Sequence, residues 1–134
     1  MMKIVAAALL AFMSWSGAVC AQQGPQPAVQ EYQGVRFVTG GIGEEERAAI
    51  LAASADFNLK LLFAEKGGAY LADVTVVVTG ADGAKVLELK ADGPLVLASL
   101  PVGAYRVAAT AGGREQVRSA SIPATGQRSL AFYW

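Results

Sequence analysis

Hydrophobic and polar residues alternate from position 57 to the end of the chain, a pattern typical of strands that bury one face. Turn-forming residues interrupt the alternation about every ten residues, and Asp82-Gly83 is the clearest of these turns because it favours a tight hairpin. No helical segment lies between the predicted strands to serve as a parallel crossover. The pattern therefore predicts a mostly β fold, a sandwich of seven antiparallel strands. These strands begin near Phe57, Tyr70, Lys85, Leu95, Tyr105, Arg114 and Arg128.

A helical pattern precedes the strands. Gly43 can cap the helix, and the carboxylates of residues 44–46 complement the positive end of its dipole. The same carboxylates would repel a phosphate group, and they point in different directions around the helix, so neither a nucleotide site nor a calcium site is expected here. We expect one short N-terminal helix that covers an open end or edge of the sheet. Its apolar stripe consists of Ala48, Leu51, Ala52 and Ala55.

The first residues have the features of a secretory signal peptide. Lys3 provides a positive charge, and the apolar run 4–15 is about a dozen residues long, which is too short for a transmembrane helix of roughly 20 residues. Val19-Cys20-Ala21 fits a signal-peptidase site, so we expect cleavage after Ala21 and a periplasmic or secreted protein of the Gram-negative type. A lipoprotein, with Cys20 as the lipidated residue, is the open alternative.

The remainder of the chain divides into three expected parts. Residues 22–33 are rich in Gln, contain two prolines and lack periodicity, so they are expected to be a flexible linker. Residues 34–56 are expected to contain a short extended segment and the helix, and residues 57–134 the β-sandwich domain. Because Cys20 is the only cysteine, the mature domain must be stable without disulfide bonds.

The charges of the chain nearly cancel. There are 11 Lys and Arg residues and 11 Asp and Glu residues, so removal of Lys3 with the signal peptide leaves a net charge of −1. This balance gives no electrostatic reason to expect nucleic acid as a partner, and membrane contact is expected only through the signal peptide before cleavage. Four arginines are spread over several predicted strands and are expected at solvated positions. They are Arg106, Arg114, Arg118 and Arg128.

Three segments are similar to those of a known family: 71–76 (Leu-Ala-Asp-Val-Thr-Val), the Asp82-Gly83 turn, and 100–107 (Leu-Pro-Val-Gly-Ala-Tyr-Arg-Val). They resemble the carboxypeptidase regulatory-like domain family, whose hallmark is a Leu-Pro-x-Gly-x-Tyr-x-Val segment in which Pro and Gly form a corner and Tyr and Val then point inward. The resemblance covers about 57–134 and implies a transthyretin-like (prealbumin-like) Greek-key sandwich that stabilises, binds or displays without catalysis. The family's opening strand and turn are replaced here by 58–70. The layout also resembles small exported proteins of Gram-negative bacteria.

The residue types that common catalytic and metal sites need are missing from the mature chain. It has no histidine, and Cys20 lies in the predicted signal peptide, so the commonest general base, nucleophile pairing and zinc ligands are absent. The hydrolase of 5-hydroxyisourate shares the transthyretin-like fold, but that resemblance would require site histidines and a Tyr-Arg-Gly-Ser ending. We therefore expect no enzyme activity, no cofactor and no metal site. The carboxylates of Asp73, Asp82, Glu88 and Asp92 are expected to be solvated or to form turns.

The function expected from these features is binding. We expect a module that acts through protein or cell-envelope contacts as a monomer or weak oligomer, with a partner that the sequence does not identify. The alternative is a carbohydrate-binding or hydrolase-inhibitor accessory module, which would need an exposed aromatic platform. The candidate contact residues are Tyr70, Tyr105 and Tyr133. Exposure of two of them on one surface would favour ligand binding, and burial of all three would oppose it.

The aromatic C-terminus suggests a third and less favoured alternative. Leu130, Phe132 and Trp134 alternate as in the closing strand of a small outer-membrane β-barrel. The predicted strands are mostly shorter than the about 9 to 11 residues that a membrane-crossing strand needs, and their predicted number is odd. We therefore expect these three side chains in the core of the sandwich, with Trp134 at one end of it.

Overall fold

The computed structural model describes residues 27–134, which form a mostly β fold of nine strands in two sheets with one α-helix. The predicted signal peptide, 1–21, and the first part of the predicted linker lie outside the described residues. Within the described range, no helix is both long enough and apolar enough to cross a membrane. In chain order the elements are β1 (Gln30–Tyr32), β2 (Val35–Gly40), α1 (Glu44–Ala53), a 3-10 turn (Ser54–Asp56), β3 (Leu59–Ala64), β4 (Val74–Gly80), β5 (Lys85–Ala91), β6 (Leu95–Ala98), β7 (Gly103–Ala111), β8 (Arg114–Ile122) and β9 (Arg128–Tyr133).

The strands form a five-stranded sheet in the order β1-β2-β6-β3-β9 and a four-stranded sheet in the order β5-β4-β7-β8. Neighbouring strands are antiparallel except β3 and β9, which run parallel. The expectation of a wholly antiparallel sandwich is therefore wrong. β9 follows β8, which belongs to the other sheet, so the chain crosses between the sheets and returns beside β3 in the same direction. Because such a crossing needs no helix, the lack of crossover helices does not exclude a parallel pair.

Each of the seven predicted strand segments contains a strand, and the two additional strands lie on the N-terminal side. One of them, β1, lies within 22–33, the segment expected to be a flexible linker. It pairs with β2 so that Tyr32 lies opposite Val35, across a tight turn in which Gln33 and Gly34 have positive φ. A three-residue strand depends on pairing with its neighbour more than on its own hydrophobic pattern, which is why the composition of this segment did not predict it.

β4 begins later than the alternation of side chains predicts. Tyr70 forms an isolated bridge with Ala64, but the backbone leaves the extended region at Asp73, where φ is 60°. Asp73 therefore precedes the strand, which starts at Val74. A break of this kind changes the backbone without changing the order of hydrophobic and polar residues, so periodicity alone cannot detect it.

The main hydrophobic core lies between the two sheets. The inward positions of the strands provide fully buried side chains such as Leu61, Val76 and Val107. At one end of this core the rings of Phe63, Phe132 and Trp134 pack together, with centroids 5.7 to 6.1 Å apart. Phe132 is fully buried, and Leu130 and Trp134 are partly buried against the same core. The expected core position of these three C-terminal residues is confirmed.

Helix α1 packs on the outer face of the five-stranded sheet, not at its end or edge. Ile50 is 1% exposed and is the helix residue that enters a second hydrophobic cluster. Leu51, which belongs to the predicted apolar stripe, is 45% exposed. The predicted stripe is wrong because three of its four members are alanines, whose small side chains determine the orientation of a helix weakly. The buried members of the second cluster are Val38, Ile50, Phe57, Leu95 and Leu97.

Candidate functional site

The three candidate tyrosines separate into an exposed pair and a partly buried residue. Tyr70 is 53% exposed and Tyr133 is 47% exposed. Tyr105 is of intermediate exposure and packs against the main core. Whether the exposed pair can form one contact surface depends on the positions of Tyr70 and Tyr133 in the sheet.

Tyr70 and Tyr133 lie on either side of Ala64. Ala64 pairs with Tyr70 in the isolated bridge and with Tyr133 in the parallel β3–β9 ladder. Paired residues on adjacent strands share a face of the sheet. Because the preceding residues Phe63 and Phe132 point into the core, this face is the outer one. Neighbouring strands are about 4.8 Å apart, so the Cα atoms of the two tyrosines are about 10 Å apart.

We call the surface formed by Tyr70, Ala64 and Tyr133 the tyrosine face. Ala64 is only 3% exposed although it points outward, which indicates that the larger neighbouring side chains cover it. The two aromatic rings are therefore close enough to contact one ligand or one partner surface. The structure meets the condition that favours ligand binding, with Tyr70 and Tyr133 as the pair and without Tyr105.

Arg47 of helix α1 adds a positive charge to the tyrosine face. Its guanidinium carbon lies 4.7 Å from the centroid of the Tyr70 ring, within the range of a cation–π contact. The same side chain donates a hydrogen bond from Nη1 to the carbonyl oxygen of Gly41, at 3.2 Å. The backbone amide of Gly41 in turn donates to Oε1 of Glu46, at 3.1 Å. Arg47 is therefore held beside the Tyr70 ring by a hydrogen bond to Gly41 and by the cation–π contact.

Tyr105 has a structural role at the corner between β6 and β7. Its hydroxyl donates a hydrogen bond of 2.7 Å to the carbonyl oxygen of Pro101, and Val107 is fully buried two residues later. The prediction that Tyr and Val point inward after a Pro-Gly corner is confirmed. Burial raises the pKa of the Tyr105 hydroxyl above its usual value. Tyr105 is therefore an internal support of the corner and is not part of the contact surface.

A separate concavity beside the start of helix α1 is acidic. It has a volume of about 650 Å³ and is lined by Asp92 and by the carboxylates of residues 44–46, without any basic side chain. Among residues 27–134, no cluster of three or more His, Cys, Asp or Glu has an arrangement that could bind a metal ion. The acidic concavity therefore offers negative charge without the oxygen cage that a cation site requires.

Ala64 of the tyrosine face and Arg47 beside it were not identified from the sequence. Ala64 and Tyr133 are almost seventy positions apart, and only the parallel β3–β9 pairing makes them neighbours. Arg47 lies on a helix and Tyr70 in a loop, so no periodicity relates them. Residue type alone could identify only the tyrosines as candidates, because aromatic side chains are common at contact surfaces.

Comparisons with known proteins do not assign the chain to a family. No protein-family model matches it, and no curated protein matches it significantly. The function is therefore inferred from the geometry described above.

Proposed function

We propose that this chain is a non-catalytic, exported β-sandwich module that acts through contacts with another protein or a component of the cell envelope. The observation that supports this function is the pair of half-exposed rings of Tyr70 and Tyr133 on one face, with Arg47 fixed beside them. Tyrosine and arginine are enriched where proteins contact each other, because both offer a large contact area together with polar groups. The tyrosine face is the proposed contact surface.

The proposal includes a transthyretin-like Greek-key arrangement of the carboxypeptidase regulatory-like type. Support comes from the corner in segment 100–107, where the Tyr105 hydroxyl bonds to Pro101 and the next inward residue, Val107, is buried. The parallel β3–β9 pair and the two N-terminal strands are differences that this chain would add to such a domain.

Carbohydrate binding is the second candidate, and the spacing of the two tyrosines favours it. Tyrosines on either side of β3, with Cα atoms about 10 Å apart, could stack on sugar units of one extended glycan. A hydrolase-inhibitor role would use the same surface to contact a protein. The two candidates differ in the ligand that the tyrosine face retains, so one set of variants can test both.

The test is an affinity experiment with the mature chain, from Gln22 onward, immobilised and exposed to periplasmic and detergent-solubilised envelope extracts. We expect the wild-type protein to retain a defined protein partner, and the double variant Y70A/Y133A to retain it at least about tenfold less well. The matched control is V102A/V117A, which removes two other exposed hydrophobic side chains, 65% and 47% exposed, that lie outside the tyrosine face.

Three results would change the proposal. Equal retention by wild type and Y70A/Y133A would exclude the tyrosine face as the contact surface. Retention of an envelope glycan in place of a protein, lost in Y70A/Y133A and kept in V102A/V117A, would establish the carbohydrate-binding candidate. Turnover of any member of a panel of esters, peptides and glycosides by the purified wild-type chain would show that the module is catalytic.

A further inference from the structure

A second concavity lies at the end of the four-stranded sheet beside the β4–β5 turn. It has a volume of about 520 Å³, and its lining residues come from both sheets. Small residues, including Gly80, Ala81 and Ala104, leave the space, and none of the lining residues is acidic. We call it the arginine concavity. Its polar side chains are two arginines, three Ser or Thr residues and Tyr105, whose hydroxyl already donates to Pro101. The arginines and the Ser and Thr residues are Thr79, Arg106, Ser119, Ser121 and Arg128.

Strand register explains why four of these polar groups point in one direction. Thr79 pairs with Arg106, and Arg106 pairs with Ser119, so the three side chains form one row across the outer face of the four-stranded sheet. Ser121 lies two residues further along β8 and points to the same face. Its partner across the ladder, Ala104, has only a methyl group, which leaves room above the sheet at this point.

Arg128 reaches the concavity from β9, across the junction of the two sheets. Its Nε donates to the carbonyl oxygen of Ser121 at 3.4 Å, which directs the guanidinium group along β8. Within residues 27–134, neither Arg106 nor Arg128 has a carboxylate oxygen within 4.0 Å, and the ion pair found in this range is Lys85 with Glu88, at 2.8 Å. Within the described residues, neither arginine of the concavity is therefore engaged in an ion pair.

We infer that the arginine concavity binds a phosphate group. A guanidinium group matches the oxygens of an anion with two parallel donors, and hydroxyl groups donate to the remaining oxygens. Donors that reach the concavity from four strands suit a tetrahedral anion better than a planar carboxylate, because its oxygens point in several directions. The acidic concavity lies beside helix α1 on the other sheet, so the two concavities offer opposite charges to a ligand.

The test is a titration of the ¹⁵N-labelled mature chain with inorganic phosphate, followed by NMR at constant ionic strength. We expect saturable shifts confined to the amides near Thr79, Arg106 and Ser119. The variant R106Q/R128Q should bind at least about tenfold more weakly, because both guanidinium groups are lost. The matched control K66Q/K90Q removes the same charge at two exposed lysines outside the concavity and should bind as wild type does.

Three outcomes would overturn the inference. Non-saturable shifts spread over lysines and arginines throughout the surface would show diffuse ion attraction, as would equal weakening in R106Q/R128Q and K66Q/K90Q. If R106Q/R128Q fails to fold, T79A/S119A removes two donors and keeps both charges, and unchanged affinity in that variant would also count against the site. Y70A/Y133A should bind phosphate normally, so failure here is distinguishable from failure of the tyrosine face.

A final comparison identifies the source of the phosphate group. Sedimentation with vesicles that contain phosphatidic acid is compared with sedimentation with vesicles of phosphatidylcholine alone. Retention by phosphatidic acid vesicles that is lost in R106Q/R128Q supports the inference with a lipid headgroup as ligand. Saturable binding of inorganic phosphate without vesicle retention supports it with a soluble phosphate compound as ligand.

Discussion

The four-stranded sheet is built mainly from neighbours in the sequence, whereas the five-stranded sheet, apart from the short β1–β2 hairpin, joins segments that are far apart. β4 and β5 form one hairpin, and β7 and β8 form another with nine residue pairs in register. In the five-stranded sheet, β6 pairs with β2 and β3 through only four residue pairs each, and β9 joins from the end of the chain. The outer faces also differ, because helix α1 covers part of the five-stranded sheet and no described helix covers the four-stranded one.

This difference indicates which sheet needs stabilising contacts in addition to the hydrogen bonds between its strands. Long hairpins provide many local hydrogen bonds, so the four-stranded sheet can keep an uncovered outer face of Thr, Ala, Val and charged residues. Short strands from distant segments need additional burial and cross-links to remain aligned. In the five-stranded sheet, the second hydrophobic cluster provides the additional burial. The side chain of Asn58 provides a cross-link to Leu100. The open outer face of the four-stranded sheet is correspondingly free to contact a ligand.

The largest expected loss of stability follows from truncation of Ile50, which packs helix α1 against the five-stranded sheet. Ile50→Ala removes the helix side chain that is 1% exposed in the second cluster and should lower the free energy of unfolding by about 3 kcal/mol. Val77→Ala is the matched control, because Val77 lies on the open outer face of the four-stranded sheet and is only partly buried. Its cost should stay below about 1 kcal/mol. Urea denaturation followed by circular dichroism measures both, and equal costs would contradict the contrast between the two faces.

A smaller loss is expected where Asn58 links distant segments. Its Nδ2 donates to the carbonyl oxygen of Leu100 at 2.6 Å, and its Oδ1 accepts from the amide of Leu100 at 2.9 Å. Asn58→Ala breaks both bonds and leaves polar backbone groups without partners, so it should cost about 2 kcal/mol. Ser99→Ala removes only a long 3.5 Å bond to Asp56 and should cost less than about 0.5 kcal/mol.

The same denaturation experiment decides whether Asn58 is a cross-link. A cost for Asn58→Ala as small as that for Ser99→Ala would show that the ladders of β6 alone keep the five-stranded sheet aligned. The slope of unfolding free energy against urea concentration should be the same in both variants, because neither change alters the surface that unfolding exposes.

The contrast between the sheets also explains how much of the fold was predictable. The Asp82-Gly83 turn and the alternation around it predict the β4–β5 hairpin, because a hairpin depends on residues close in sequence. The parallel β3–β9 pair joins segments far apart in the sequence, and local patterns do not determine such a pairing. The β1 strand pairs with its neighbour β2, but its three residues are too few to show an alternating pattern. The predicted orientation of helix α1 was wrong because it depends on packing against a distant sheet, which buries Ile50 and leaves Leu51 exposed.

The candidate sites were predictable only as single residues. Aromatic character identified Tyr70 and Tyr133, but it identified Tyr105 equally, and only the structure separates exposed rings from one that supports a corner. Arg106 and Arg128 were expected to be isolated solvated side chains. Both are exposed as expected, yet strand register and the crossing of β9 between the sheets place them in one concavity. The sequence shows which side chains could bind a ligand. Only the folded structure shows which of them lie close together.

The smallest expected effect is a dependence on pH at the corner that leads into the four-stranded sheet. Burial raises the pKa of Tyr105 in the folded chain above its value of about 10 in the unfolded chain. The hydroxyl therefore contributes fully to stability below about pH 10, and this contribution is lost as the pH rises from there through the pKa of the folded state. Tyr105→Phe should be less stable than wild type by about 1 kcal/mol near neutral pH, because it lacks the bond to Pro101.

That difference should shrink as the pH rises above about 10 towards the raised pKa of the folded state, since phenylalanine has no proton to lose. Urea denaturation of wild type and Tyr105→Phe at a series of pH values measures it directly. Parallel stability curves from neutral to alkaline pH would show that the ionisation of Tyr105 is not linked to folding. Convergence of the curves at alkaline pH would show that the corner, unlike the open outer face beside it, depends on a neutral tyrosine hydroxyl.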